Sequence, residues 1–181
     1  MINKILVALD YSSTSESVFN SAVSLAKTTD ASLMLVHVLA DNEPGFPVVP
    51  TYTYYPVLDD YDYNLYQKRY EDYQQKGIKF LQQQNKEAIT AGVTTEFTQL
   101  AGNPGSMICE LANTWSADLI LIGSRGLTGL KEMFLGSVSN YVTHHAPCSV
   151  LIIRTPIDKE TETASLVSKK INDQNLQTSD F

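Results

Sequence analysis

The residues with the clearest chemistry lie between Gly123 and Ser139, in the stretch Gly-Ser-Arg-Gly-Leu-Thr-Gly-Leu-Lys-Glu-Met-Phe-Leu-Gly-Ser-Val-Ser, which directly follows the apolar run Leu119-Ile120-Leu121-Ile122. Glycines at 123, 126, 129 and 136 let backbone N–H groups approach an anion with no Cβ in the way. A helix expected to open at Ser137 adds unpaired N–H donors and the positive end of its dipole. Ser137 and Ser139 add hydroxyls. Together these groups suit a phosphate. Arg125 either balances phosphate charge or is an exposed loop cation.

Two common phosphate loops are excluded by spacing. No G-x-x-x-x-G-K-[ST] occurs, and the glycines at 123, 126 and 129 fall every third residue, unlike G-x-G-x-x-G. The pattern present is G-x2-G-x9-G-[ST], filled by Gly123, Gly126, Gly136 and Ser137. In its setting, after a buried strand and before a final helix-strand unit, it closely resembles the ATP-binding signature of the universal stress protein family. The resemblance covers about residues 2 to 154. It implies an adenine nucleotide alpha hydrolase-like fold and ATP as ligand. Ala8, Asp10 and Val38 match positions lining the adenine and ribose end. Ile122, Gly123, Arg125, Gly126, Gly136, Ser137 and Val138 match the loop positions. It further implies homodimers formed through the last strand, here Cys148 to Ile153.

The elements that must position these residues are legible from periodicity. Lys4 to Leu9 and Leu33 to Leu39 are near-continuous apolar runs of the kind found in parallel strands covered on both faces. Between them Ser12, Ser13 and Thr14 are candidate N-caps, with Glu16 as a capping-box partner of Ser13. The face Val18, Ala22, Val23, Leu25 and Ala26 marks a helix. Prolines at 44, 47 and 50 and tyrosines at 52, 54 and 55 mark an irregular insertion over residues 41–62. A long helix follows, from about residues 59–62 to Ala91, with Leu65, Tyr73, Ile78, Leu81, Ala88 and Ile89 as core contacts. Gly77 is expected to bend or fray it, and Gly92 to stop it. Val93 to Gln99 reads as a polar edge strand. Asn103 and Pro104 open a helix with Met107, Ile108, Leu111, Ala112 and Trp115 on its buried stripe. Asp118 to Ile122, Ser137 to His145 and Cys148 to Ile153 complete the alternation. Residues 1–155 are thus expected to form one domain, and residues 156–181 a disordered or weakly helical tail.

Five strands alternating with four helices specify a doubly wound α/β fold with a five-stranded parallel sheet in the order 3-2-1-4-5. The order reverses between strands 1 and 4, and ligands in such sheets bind outside the strand ends at that reversal. Asp10 and Gly123 are thereby brought opposite each other. A carboxylate beside phosphates makes sense if Asp10 accepts from ribose hydroxyls or holds a divalent cation, Mg2+ or Mn2+, bridging to the phosphates.

The net charge of −7 argues against a nucleic-acid or anionic-membrane surface. Cys109 and Cys148 read as small buried hydrophobes, with no metal cluster or disulfide framework. No apolar segment approaches about 18 residues and no cleavage-site pattern follows the N-terminus, so the expected location is the cytoplasm. Nothing matches a nucleophile-His-acid arrangement. His37 reads as a hydrogen-bonded core residue, and His144 and His145 suit a helix C-terminus. The expectation is an ATP-binding stress switch or sensor with slow or absent hydrolysis. Its alternatives are an interaction module using the tyrosine-rich insertion and a slow metal-dependent ATPase resting on Asp10.

Overall fold

Parallel strands joined by helices need both sheet faces covered, and the apolar runs meet that demand by alternation. In a computed structural model that describes residues 1–41, 43, 45–47, 60–124 and 135–154, the elements are β1 (Lys4–Ala8), α1 (Thr14–Thr29), β2 (Ser32–Leu39), α2 (Asp60–Thr90), β3 (Thr95–Ala101), α3 (Pro104–Trp115), β4 (Leu119–Gly123), α4 (Ser137–His145) and β5 (Ser149–Ile153). All pairings are parallel, in the order β3-β2-β1-β4-β5. This is the doubly wound sheet expected from the sequence.

One face of the sheet presents Ile5, Val7, Leu33, Leu35, Leu119 and Leu121 to Val18, Phe19 and Ala22 of α1 and to Leu81 and Ala88 of α2. The other presents Leu6, Met34, Val36, Ile120 and Ile122 to Ile108 and Ala112 of α3 and Val142 of α4. Each fully buried Leu or Ile contributes about 1.5–3 kcal/mol of transfer free energy. At the N-terminal edge of the sheet, Asp118 Oδ2 accepts from the backbone N–H of Asn3 at 2.7 Å and of Lys4 at 3.0 Å, tying β1 to β4. Those two donors hold its carboxyl below the ordinary carboxylate range.

The helix ends follow sequence chemistry in part. Asn103 Oδ1 accepts from Ser106 N–H at 3.2 Å, and Pro104 occupies the first helical position. Gly92 has φ +86° and closes α2, with Val93 N–H donating to Ala88 O at 3.0 Å. The expected capping box at Ser13 is absent, because Ser13 is itself in the right-handed helical region and makes no side-chain cap.

Several expectations for α2 are corrected. The helix runs unbroken through Gly77. A Cβ on Gly77 would lie 1.9 Å from Gln99 Nε2 and 2.9 Å from His37 Nδ1, so this glycine admits two side chains from the sheet and marks no bend. Tyr73, Leu81 and Ala88 are buried as expected, whereas Leu65 and Ile89 are 37% and 56% exposed. Cys109 and Cys148 are half-buried free thiols, and burial pushes both above the ordinary thiol value. Among the described residues no helix is long and apolar enough to cross a membrane. Tyr52, Tyr54, Tyr55 and the expected tail lie outside the described residues.

Candidate functional site

The reversal of strand order puts the C-terminal ends of β2, β1 and β4 side by side. Alternation then selects which side chains meet there. Ala8, Val38, Ile122 and Val138 all belong to the apolar cluster on the α3–α4 face, so four of the expected ligand-lining residues from four different elements converge. Val38 and Ile122 are buried, at 6% and 5% exposure.

The base of the glycine stretch is closed by two backbone bonds. Ser124 N–H donates to Ile153 O at 2.8 Å, and Gly136 N–H donates to Ser124 O at 2.7 Å. The N–H of Gly136 is therefore occupied within the protein, and the donors left for an anion are those that follow it. Asn140 N–H makes the first α4 bond, to Gly136 O at 2.9 Å. By helix geometry the amides of Ser137, Val138 and Ser139 then have no intrahelical acceptor. Ser137 is exposed, and its hydroxyl has no hydrogen-bond partner among the described residues. Ser139 differs from expectation: it is 2% exposed, and its hydroxyl lies 3.2 Å from Ser124 O and 3.0 Å from Gly136 O, so it braces the loop base. Arg125 and Gly126 lie outside the described residues.

Gly136 adopts φ −70° and ψ 164°, a conformation open to any residue. Glycine is not required there by the backbone. What it contributes is the missing Cβ at the mouth of α4.

Asp10 organises the β1–α1 turn. Its Oδ1 accepts from Ser12 N–H at 3.0 Å, from the Ser12 hydroxyl, and from Ser15 Oγ at 2.7 Å, while Asp10 N–H donates to Ser15 Oγ at 2.9 Å. One carboxylate oxygen is thus saturated by the β1–α1 turn, and Oδ2 has no hydrogen-bond partner among the described residues. Ser12 and Ser15 as the partners of Asp10 are the roles that sequence reasoning missed; the signal was the density of hydroxyls directly after a strand-terminal carboxylate. Asp10 also lines a cleft of about 370 Å³ between α1 and α2, together with Tyr11, Phe19 and Phe80. None of the described glycine-stretch residues lines that cleft. Among the described residues no group of three or more His, Cys, Asp or Glu is placed to hold a metal ion. His37 is fully buried, with Nδ1 3.3 Å from Gln99 Nε2, the core histidine that was expected.

A five-stranded parallel sheet in the order β3-β2-β1-β4-β5, covered by helices on both faces, has the adenine nucleotide alpha hydrolase-like fold. The model of the universal stress protein family matches residues 1–154, and the chain belongs to that family. It is 35% identical over 151 residues to a universal stress protein of Synechocystis sp., covering 83% of this chain and 97% of that one. It is 36% identical over 154 residues to universal stress protein YxiE of Bacillus subtilis, covering 85% and 100%. Among solved structures, the universal stress protein UspA from Lactobacillus plantarum superposes with a TM-score of 0.67 at 25% identity, covering 84% of this chain and 98% of that chain. Two more distant neighbours share the fold: a universal stress protein in complex with cAMP, at 24% identity and TM-score 0.55, covering 86% and 98%, and a family protein from Arabidopsis thaliana with AMP bound, at 21% and 0.58, covering 87% and 94%.

Proposed function

We propose that this protein binds an adenine nucleotide, ATP foremost, at the switch point and acts as a nucleotide-responsive switch in the stress response. The observation that carries this reading is the convergence of the uncapped α4 N-terminus and the exposed Ser137 hydroxyl with an apolar wall at the ends of three neighbouring strands. The amides of Ser137 and Val138 would hold phosphate oxygens, with Ser137 Oγ as a further donor. Gly123, Gly126 and Gly136 would keep that approach clear, and Arg125 would offset phosphate charge. Ala8, Val38 and Ile122 would line the adenine and ribose end. Asp10 Oδ2 would accept from the ribose or share Mg2+ or Mn2+ with the phosphates; such a cation would take its remaining oxygens from the ligand and water. The two fold neighbours with cAMP and AMP support adenine as the base.

Catalysis has little to work with, since Asp10 is the sole functional side chain placed by this reading near the phosphates apart from Ser137 and Arg125. Slow or absent hydrolysis follows. The reading also includes a cytoplasmic homodimer joined through β5, the last strand of the sheet among the described residues, whose Leu151 is 42% exposed.

Asp10→Asn tests the role of the carboxylate. Asparagine keeps an oxygen for Ser12 and Ser15 but turns the outward Oδ2 into a donor, so the fold is retained while ATP affinity falls by about tenfold, or roughly 1.4 kcal/mol. Unchanged affinity in a titration of the folded variant would remove Asp10 from the site.

A further inference from the structure

Beyond the end of β2 the chain turns back on itself. Glu43 N–H donates to Ala40 O at 3.1 Å, and Phe46 N–H donates to Glu43 O at 3.1 Å. These turns bring the Glu43 carboxylate over His37. The Tyr73 hydroxyl on α2 donates to Glu43 Oε2. The Phe46 ring stands edge-on to Tyr70 and Tyr73, with centroids 6.0 and 5.6 Å away. His37 Nε2 lies 3.8 Å from Glu43 Oε2, beyond hydrogen-bond reach, and has no hydrogen-bond partner among the described residues. The Gln99 amide donating to Nδ1 leaves the proton of the neutral imidazole on Nε2, facing the carboxylate.

We propose that His37, Glu43 and Tyr73 form a clasp that pins the turn carrying Glu43 and Phe46 to α2 and answers acid through two opposed proton sites. The groups facing it come from every element packed around it. Asp10 follows β1, and the Tyr11 ring lies 5.1 Å from the His37 ring with the Lys76 ammonium of α2 5.0 Å from its centroid. Phe80 of α2 packs against both rings and Gln99 comes from β3.

The two proton sites have opposite signs. Burial raises the Glu43 carboxyl above its ordinary value, with the Tyr73 bond opposing and the Asp10 charge adding to the rise. Burial lowers the His37 imidazole, with Asp10 opposing. Lifting the turn returns Glu43 to water and opens Nε2 to water, so both groups move toward their ordinary values of 4.5 and 6.5. The closed clasp binds the Glu43 proton more tightly than the open one, so this site strengthens the clasp as pH falls toward 4.5. The open clasp binds the His37 proton more tightly, so this site weakens the clasp as pH falls below 6.5. In the native chain the two offset each other, and the turn stays docked through mild acid.

Hydrogen exchange at the Glu43 and Phe46 amides, corrected for intrinsic rates, tests this between pH 6.5 and pH 4.5. With Glu43→Gln, protection is expected to fall several-fold on acidification; with His37→Gln it is expected to rise; neither change exceeds about tenfold per pH unit. The native chain changes less than either variant. Tyr73→Phe keeps the ring under Phe46 and removes the donor. It should lower protection at pH 6.5 and move the NMR titration of His37 up toward 6.5, and it decides the matter even where His37→Gln does not fold. Responses of the same sign in the two neutral variants, or Tyr73→Phe with protection and titration unchanged, would overturn the clasp.

Discussion

Gly136→Val is expected to lower the affinity for ATP at least a hundredfold, about 2.7 kcal/mol, while leaving the protein folded. The φ and ψ of Gly136 suit valine, and its N–H bond to Ser124 O needs no side chain, so the loop base survives the change. Two methyl groups would then stand beside the unpaired amides of Ser137 and Val138, where the proposal places phosphate oxygens. Charge-assisted bonds to those oxygens are among the stronger hydrogen bonds a protein makes, and displacing the anion forfeits several together. The comparison is a calorimetric titration of variant and native chain, with circular dichroism showing that both are folded. An affinity within a few-fold of native would mean that α4 does not hold the phosphates.

Ile120→Ala is expected to cost about 2–5 kcal/mol of stability, read as a drop in the urea midpoint. Ile120 is fully buried on β4, aligned with Leu6 of β1 and Val150 of β5, and it packs in the cluster that holds Ile108 and Val142. Truncation removes three carbons from a site walled by sheet on two sides and helices on the third, where little collapse can fill the void. A loss of this size is a large share of the 5–15 kcal/mol typical of a domain. Ile89→Ala provides the contrast. At 56% exposure it should shift stability by no more than about 0.5 kcal/mol, although its apolar type equally suggests a core residue.

That contrast shows where sequence reading reached its limit. The strands were legible because a parallel sheet covered on both faces demands runs such as Lys-Ile-Leu-Val-Ala and Leu-Ile-Leu-Ile, and few other structures tolerate them. The strand order followed from the alternation of elements. The glycine stretch stood out because its spacing is local. Side chains whose roles depend on distant partners could not be read. Gly77 looked like a weak point in a helix because its reason, the approach of Gln99 and His37, comes from two other strands. Ser13 looked like a cap, but the turn is held by Asp10 taking Ser12 and Ser15 onto one oxygen. Ser139 looked like a phosphate donor until its burial put the hydroxyl on the loop base. Glu43 sits among prolines and glycine in the insertion, and nothing local indicated that it folds back onto a buried histidine.

The central claim, adenine nucleotide binding at the switch point, is tested most directly by titrating ATP with Mg2+ into the native chain in a calorimeter and analysing the nucleotide by chromatography afterwards. The account predicts about one site per chain with an affinity near micromolar, roughly −8 kcal/mol, and ATP still intact after hours. No heat at high protein concentration, together with no nucleotide carried through purification, would contradict it and leave the switch point of this fold without its proposed ligand.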